Sequence, residues 1–227
     1  MSLAPREELL TGAPALLERA VGYTRGCLAL VGGVPPHAAT PCASWDLAAL
    51  LRHMDDSLAA FTEAAELGYV HLGQPSPSPA DAGGGSTGGT AGGTAHGTAG
   101  GPVHGTASGT AASVAALKGR ACALLAAWAA GAAPAVLVGS APIRSDLLAA
   151  AGSLEIAVHG WDVSVACGAP RPIPDPLARA LIEVADLLLD GRTGEGRFAP
   201  ALDVPPGADA STRLLARVGR AAAGPRT

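Results

Sequence analysis

Residues 145–167 read SDLLAAAGSLEIAVHGWDVSVAC, a run with no proline and with apolar residues recurring every three or four positions. At 100° per residue Leu147, Ala151, Leu154, Val158, Trp161 and Val165 fall on one stripe, the mark of a helix packed against a core. Glu155, His159 and Asp162 lie together along the edge of that stripe. Glu155 and His159 are one turn apart, so their side chains leave the same face and can share a ligand.

Working outward, the same helical period recurs. Arg6 to Val31 carries Leu9, Leu10, Leu16, Leu17, Val21, Leu28 and Val31, with a weak start where Gly12 and Pro14 interrupt it. Gly32 to Ser44 is a Gly/Pro-rich loop. Ser44 is placed to cap a second helix from Trp45 to Leu67, with Asp46 in its first turn. Leu47, Leu51, Met54, Leu58 and Phe61 form the core stripe of that helix, and His53 sits beside it among Ala49, Ser57 and Ala60. Further helices are expected over 113–131, 144–166 and 175–189, then a short one from Asp209 or Ser211 to Val218 after an irregular strap over 191–206. Only short pieces such as Ala135 to Val138 suit a strand. The reading is all-α.

Gln74 to Ala112 breaks the pattern with Gly, Thr, Ser, Ala and Pro, including His-Gly-Thr-Ala at His96 and again at His104. Such a tract buries too little surface to offset its chain entropy, so it reads as a flexible insertion between helices. The domain plan is therefore a bundle over 1–73 and 113–189, an insertion over 74–112 and a C-terminal strap and helix over 190–227.

Composition narrows the function classes. A net charge of -4 and an isoelectric point near 5.8 supply no basic stripe, which argues against nucleic acid. The N-terminus lacks a basic start and apolar run, so a cytoplasmic location is expected. Ala121 to Val138 is the one stretch apolar enough to suggest a membrane span, but it is mostly alanine and is broken by Gly131 and Pro134, so a buried helix is preferred and no membrane contact is expected. Cys27, Cys42, Cys122 and Cys167 have no close spacing and are expected to be reduced; Cys42 suits either a reactive thiol or, more commonly, a structural one.

Two imidazoles and a carboxylate suit a divalent first-row metal with open positions for water or substrate. Zinc is the default, with nickel, iron or manganese as alternatives. Spacing alone also allows His53 to be an ordinary half-buried histidine and Glu155 and His159 to be a surface pair.

The run Thr40-Pro41-Cys42-Ala43-Ser44-Trp45-Asp46-Leu47, with Leu50-Leu51-Arg52-His53-Met54 behind it, resembles the opening of the DinB-like superfamily. The branch is that of the mycothiol-dependent maleylpyruvate isomerase N-terminal domain. Glu155 to Val163, with Ala166-Cys167-Gly168 behind, resembles its second metal-binding helix. Phe198 to Pro205 and Leu214 to Arg220 resemble the C-terminal strap and helix of an actinobacterial metal-binding subgroup. The resemblance implies a DinB-like four-helix bundle with an extra C-terminal helix, and a metal held by His53, Glu155 and His159. It also implies a metal-activated thiol of the mycothiol type that attacks a small electrophile, in transfer or isomerisation.

Asp162 and Asp56, each three residues beyond a ligand histidine, are candidates to orient the imidazoles or relay protons. The alternatives are a thiol-independent hydrolase, cyclase or isomerase in natural-product chemistry, and a non-catalytic metal- or ligand-binding protein. A small-molecule substrate is the expected partner, with a homodimer left open. The short tail after Leu189 offers no separate domain of the kind the complete isomerase is expected to have. Trp161 reads as core, Trp45 as packing on the preceding loop, and Arg52 and Arg144 as solvated.

Overall fold

The computed structural model describes residues 3–42, 45–70, 106–189 and 200–221. The long apolar period at the N-terminus makes two helices where one was expected: α1 (Leu3–Thr11) and α2 (Ala13–Leu28). The chain breaks at Gly12, and Pro14 sits in the first turn of α2, where its missing N–H costs nothing. Helix α3 (Leu47–Leu67) is capped by Asp46, whose side chain accepts from the Ala49 N–H at 2.8 Å. Asp46 thus takes the capping role assigned to Ser44, which lies outside the described residues. Gly68 closes α3 in the left-handed conformation, φ 73°.

Helix α4 (Thr106–Ala130) reaches back into the last residues of the expected insertion, while 74–105 lie outside the described residues. Three short strands, β1 (Tyr69–Val70), β2 (Ala135–Val138) and β3 (Ala141–Arg144), form a small sheet in the order β1-β2-β3. Strand β2 pairs in parallel with β1 and as a hairpin with β3. Helices α5 (Ser145–Ala166), α6 (Asp175–Leu189) and α7 (Ala210–Arg217) follow, the last capped by Asp209. The chain is all-α, a DinB-like helical fold to which the described residues add this small sheet.

Helices α2, α3, α4 and α5 form the bundle, α5 packing on α2 and α3 while α4 closes the far side against the same two. The expected stripe of α3 is buried as read. The stripe on α5 is not the whole story. Every residue from Gly152 to Ser164 is buried, because α2, α3, α1 and α6 all press on that helix. A helix covered on all sides carries its polar residues into the core, so Glu155, His159 and Asp162 are interior groups rather than an edge.

Close approach of α2 and α5 depends on Gly160, where a methyl group would collide with Thr24 Oγ1 and lie 3.1 Å from its Cα. The Thr24 hydroxyl in turn donates to the Ile156 carbonyl at 2.8 Å. Helix α4 is less buried than its alanine content suggested. Leu117, Ala121, Leu124 and Trp128 face inward, yet Gly109–Ala130 is long and apolar enough to cross a membrane by length and composition, with 22% of its apolar window buried. The stretch 121–138 is not one span, since the helix stops at Ala130 and the chain turns through Gly131 at φ 99° into β2.

Helix α6 packs against α5, and α7 packs against α6. Ser211 on α7 accepts from the Ile173 N–H at 2.9 Å, tying the proline-rich connection to the C-terminal helix. Of the strap, 190–199 lie outside the described residues; its remainder docks through the Leu202 N–H on the Ala216 carbonyl at 2.8 Å.

Candidate metal centre

The fold sets α3 beside α5 so that His53 meets Glu155 across 102 positions of sequence. His53 Nε2 lies 2.6 Å from Glu155 Oε1, and His159 Nε2 lies 3.3 Å from the same oxygen. Glu155 and His159 are buried, and His53 is half-buried. The two imidazole rings meet edge to face, centroids 5.0 Å apart. The three side chains thus converge their donor atoms on one point, all within 4.8 Å of one another.

Burial works to raise the Glu155 carboxyl, but hydrogen bonds with His159 and His53 outweigh it and hold it well below the usual carboxylate range. Burial lowers His159, yet its bonds to Asp162, Cys42 and Glu155 push it up to about 11. Without an ion the carboxylate is thus paired with the His159 proton, and a divalent ion binding there would displace that proton.

Behind the ring of His159 lies a second layer. Asp162 is fully buried and its Oδ2 is 2.9 Å from His159 Nδ1. Arg220, which follows α7, donates from Nη2 to Asp162 Oδ2 at 3.2 Å and from Nε to Oδ1 at 3.4 Å. The Cys42 thiol donates to Asp162 Oδ2 at 3.3 Å, and Arg220 Nη2 lies 2.9 Å from Cys42 Sγ. Burial opposes ionisation of Asp162, but His159 and Arg220 prevail and its pKa is lowered.

Local chemistry explains how the preceding loop reaches the site. Thr40 Oγ1 donates to the Trp45 carbonyl at 2.7 Å and accepts from the Cys42 N–H at 3.1 Å. That clasp lays Trp45 over His53 with ring centroids 4.3 Å apart, and 5.9 Å from His159.

The sequence profile of the mycothiol maleylpyruvate isomerase N-terminal domain family matches residues 17–164, well over half of the chain. The chain belongs to that family. No curated protein and no solved structure matches it. The family span runs from α2 to the last turn of α5 and holds Cys42, Trp45, His53, Glu155, His159 and Asp162, whereas Arg220 falls beyond it.

The residues fit a metal ion of the kind the donor set suggests. Tetrahedral bonds of about 2.0–2.1 Å place neighbouring N and O donors roughly 3.3 Å apart. Glu155 and His159 already stand at 3.3 Å, and His53, at 2.6 Å from Glu155, needs to withdraw by about 0.7 Å to match. Cys42, His159 and Asp162 form a second convergent group. There the guanidinium of Arg220 lies against both Cys42 and Asp162, a fixed positive charge that opposes a cation, so the first group is the better centre.

Of the two carboxylates proposed to act behind the ligands, Asp162 touches His159 and Asp56 does not reach the site. Asp56 is exposed and lines a surface groove with Arg52, Asp55 and Ser113. Asp56 lies on the outer face of α3, whose inner face carries Met54 and Leu58, and it makes no contact with His53 among the described residues, which corrects the expectation for it. Trp161 is core as read. Arg144 pairs with Asp146 and Glu7 at the surface.

Sequence reasoning left two contributors out of the site and gave Cys42 only as a reactive or a structural thiol. Trp45 covers His53 as well as its loop, Cys42 sits against Asp162 and Arg220, and Arg220 drew no attention as a candidate. A cysteine and tryptophan flanking the turn before the His53 helix were a usable signal; a lone arginine in the tail was none.

Proposed function

We propose that this protein is a metal-dependent transferase or isomerase that uses a low-molecular-weight thiol of the mycothiol type against a small electrophile. The observation that carries the reading is the shared oxygen of Glu155 between the Nε2 atoms of His53 and His159, within a chain of the mycothiol-related family. Three protein ligands leave positions open, as in catalytic rather than structural sites. An ion held there, with zinc the default, would lower the pKa of a bound thiol and favour its nucleophilic thiolate.

The chain's own residues supply the rest. Asp162 accepts the Nδ1 proton of His159, which fixes the tautomer and aims the Nε2 lone pair at the centre. Arg220 keeps Asp162 ionised through its two-pronged contact. Trp45 shields one side of His53 and limits water there. Asp162 and Arg220 are positioning residues in this scheme. The setting is the cytoplasm, where Cys27, Cys42, Cys122 and Cys167, all free in this structure, stay reduced.

Isothermal titration with mycothiol tests the reading. Zinc-loaded protein should bind the thiol and release heat, and protein stripped by chelation should not. Loaded protein that shows no heat and no turnover of any thiol with an electrophile overturns it.

A further inference from the structure

A slot enters the bundle beside the metal centre. Glu155 and His159 line its buried end and the exposed Arg25 marks its outer end. The walls between them are largely apolar, with Met54 and Leu58 from α3 and Leu117 and Ala121 from α4. The slot encloses about 390 Å³ counted out to its open mouth, of which about 20 Å³ admits the centre of a water molecule. A short arm of one or two small groups fits there.

One hydroxyl among these walls is uncommitted. Ser57 lines the slot, half-buried, one turn beyond His53 on α3. At about 3.6 residues per turn it falls between His53 and Met54 on the helix surface, on the side from which His53 reaches Glu155. Thr11, Thr62, Ser113 and Ser153 each donate to the carbonyl four residues back, at 2.8 to 3.0 Å, the usual resting place of a hydroxyl inside a helix. Ser57 makes no such bond, and no other partner meets it among the described residues.

The other polar groups of the slot are engaged. Thr24 donates its proton to the Ile156 carbonyl at 2.8 Å. The ring nitrogens of His159 meet Glu155 and Asp162, and both Glu155 and His159 belong to the metal centre. Arg25 stands in water at the rim, where pairing is weak. Ser57 is therefore the proton donor left to the interior, and a hydroxyl set among such walls is completed by what enters the slot.

We infer that Ser57 binds the substrate, its hydroxyl donating to an oxygen on a short arm that runs from the metal-held end of the molecule into the slot. The substrate class is an electrophile oxygenated on that arm, as a carbonyl, carboxylate or alcohol. The word electrophile rests on the metal-dependent reading above; the contact with Ser57 is measured without any thiol chemistry.

Two matched pairs of probes read the contact. 2-Mercaptoethanol and 1-propanethiol differ by a hydroxyl in place of a methyl, and 3-hydroxypropionate and butyrate differ in the same way. The first pair offers the ion a sulfur and the second a carboxylate. Isothermal titration of each into the full-length, zinc-loaded protein gives the preference for the hydroxyl member of each pair. In Ser57→Ala that preference should fall about 3–10-fold, the weight of one neutral hydrogen bond. A change in slot volume acts on both members of a pair and cancels. Ser57→Thr, which keeps the hydroxyl, should hold the parental preference, and both variants should keep the zinc content of the parent.

Equal preferences in the parent and Ser57→Ala overturn the inference. So does loss of zinc from Ser57→Ala, or a Ser57→Thr protein that loses the preference as Ser57→Ala does. A Ser57-dependent preference in the carboxylate pair with no thiol bound defeats the thiol reading and leaves the Ser57 assignment standing. Thiol binding with no dependence on Ser57 in either pair does the reverse. Zinc-loaded protein that binds neither pair overturns both.

Discussion

Asp162 Oδ2 stands 2.9 Å from Nδ1 of His159, one turn further along a helix that is buried on every side. The contact decides which nitrogen of His159 faces Glu155, and it places a fully buried carboxylate that, among the described residues, is satisfied by His159, Arg220 and Cys42. Asp162→Asn keeps the shape and loses the charge. Zinc affinity is expected to fall roughly 10–100-fold, the usual scale for a group that orients a metal-bound histidine. Competition with a chromophoric chelator measures it; unchanged affinity with an intact far-UV spectrum would show that Asp162 does not act on the ligand.

Cys42 distinguishes the two convergent donor groups. Because Arg220 holds its sulfur at 2.9 Å, Cys42→Ser is expected to retain a full complement of zinc. Loss of the ion in that variant would move the centre to Cys42, His159 and Asp162. Elemental analysis beside the parent protein makes the comparison.

Gly160 is a packing requirement next to a ligand. A methyl there meets Thr24 Oγ1 and lies 3.1 Å from Thr24 Cα, so Gly160→Ala should destabilise the protein by about 1–3 kcal/mol through overpacking. Adding Thr24→Ala should recover part of that loss, since the two sites share the contact. Urea melts of the two single variants and the double variant test the coupling. Additive effects would contradict the packing account.

The metal-free protein has a predictable pH profile. Asp162 and Glu155 have lowered pKa values relative to 3.8 and 4.5, so their stabilisation is present above those values and is lost as pH falls below them. His159 is raised from 6.5 to about 11, so its share is complete below 6.5 and is lost as pH climbs toward 11. The apo protein should therefore be most stable near pH 5–6.5. Zinc affinity should move the other way over the alkaline limb and rise with pH as the His159 proton leaves. Thermal melts from pH 3 to 10, with and without zinc, check both; an apo protein that gains stability from pH 7 to 10 contradicts the assignment.

The legible and illegible parts of the site differ for physical reasons. Glu155 and His159 share a turn, so helical spacing alone paired them. His53 is 102 residues from Glu155, and only family resemblance tied it to them. Asp56 and Asp162 each lie three residues beyond a histidine, and spacing could not tell them apart. Tertiary packing did, because α5 is enclosed by four helices while Asp56 falls on the exposed face of α3, opposite Met54 and Leu58.

The same enclosure was hidden by alanine and glycine, which fit a core or a surface equally well and blur the apolar stripe of α5. The break at Gly12 was visible as a weak start, but its division of the N-terminal helix was not. Strand β2 was within reach of the pattern at 135–138; β1 is only two residues long, and β3, Ala-Pro-Ile-Arg, carries a proline and little apolar alternation. Arg220 meets Asp162 from 58 residues away, with no local signature in the tail.

The most direct test of the centre is elemental analysis of purified protein beside Glu155→Gln and His159→Ala, each confirmed as folded by circular dichroism. The account predicts close to one divalent ion per chain in the parent and almost none in either variant. Equal metal content in all three proteins would contradict it.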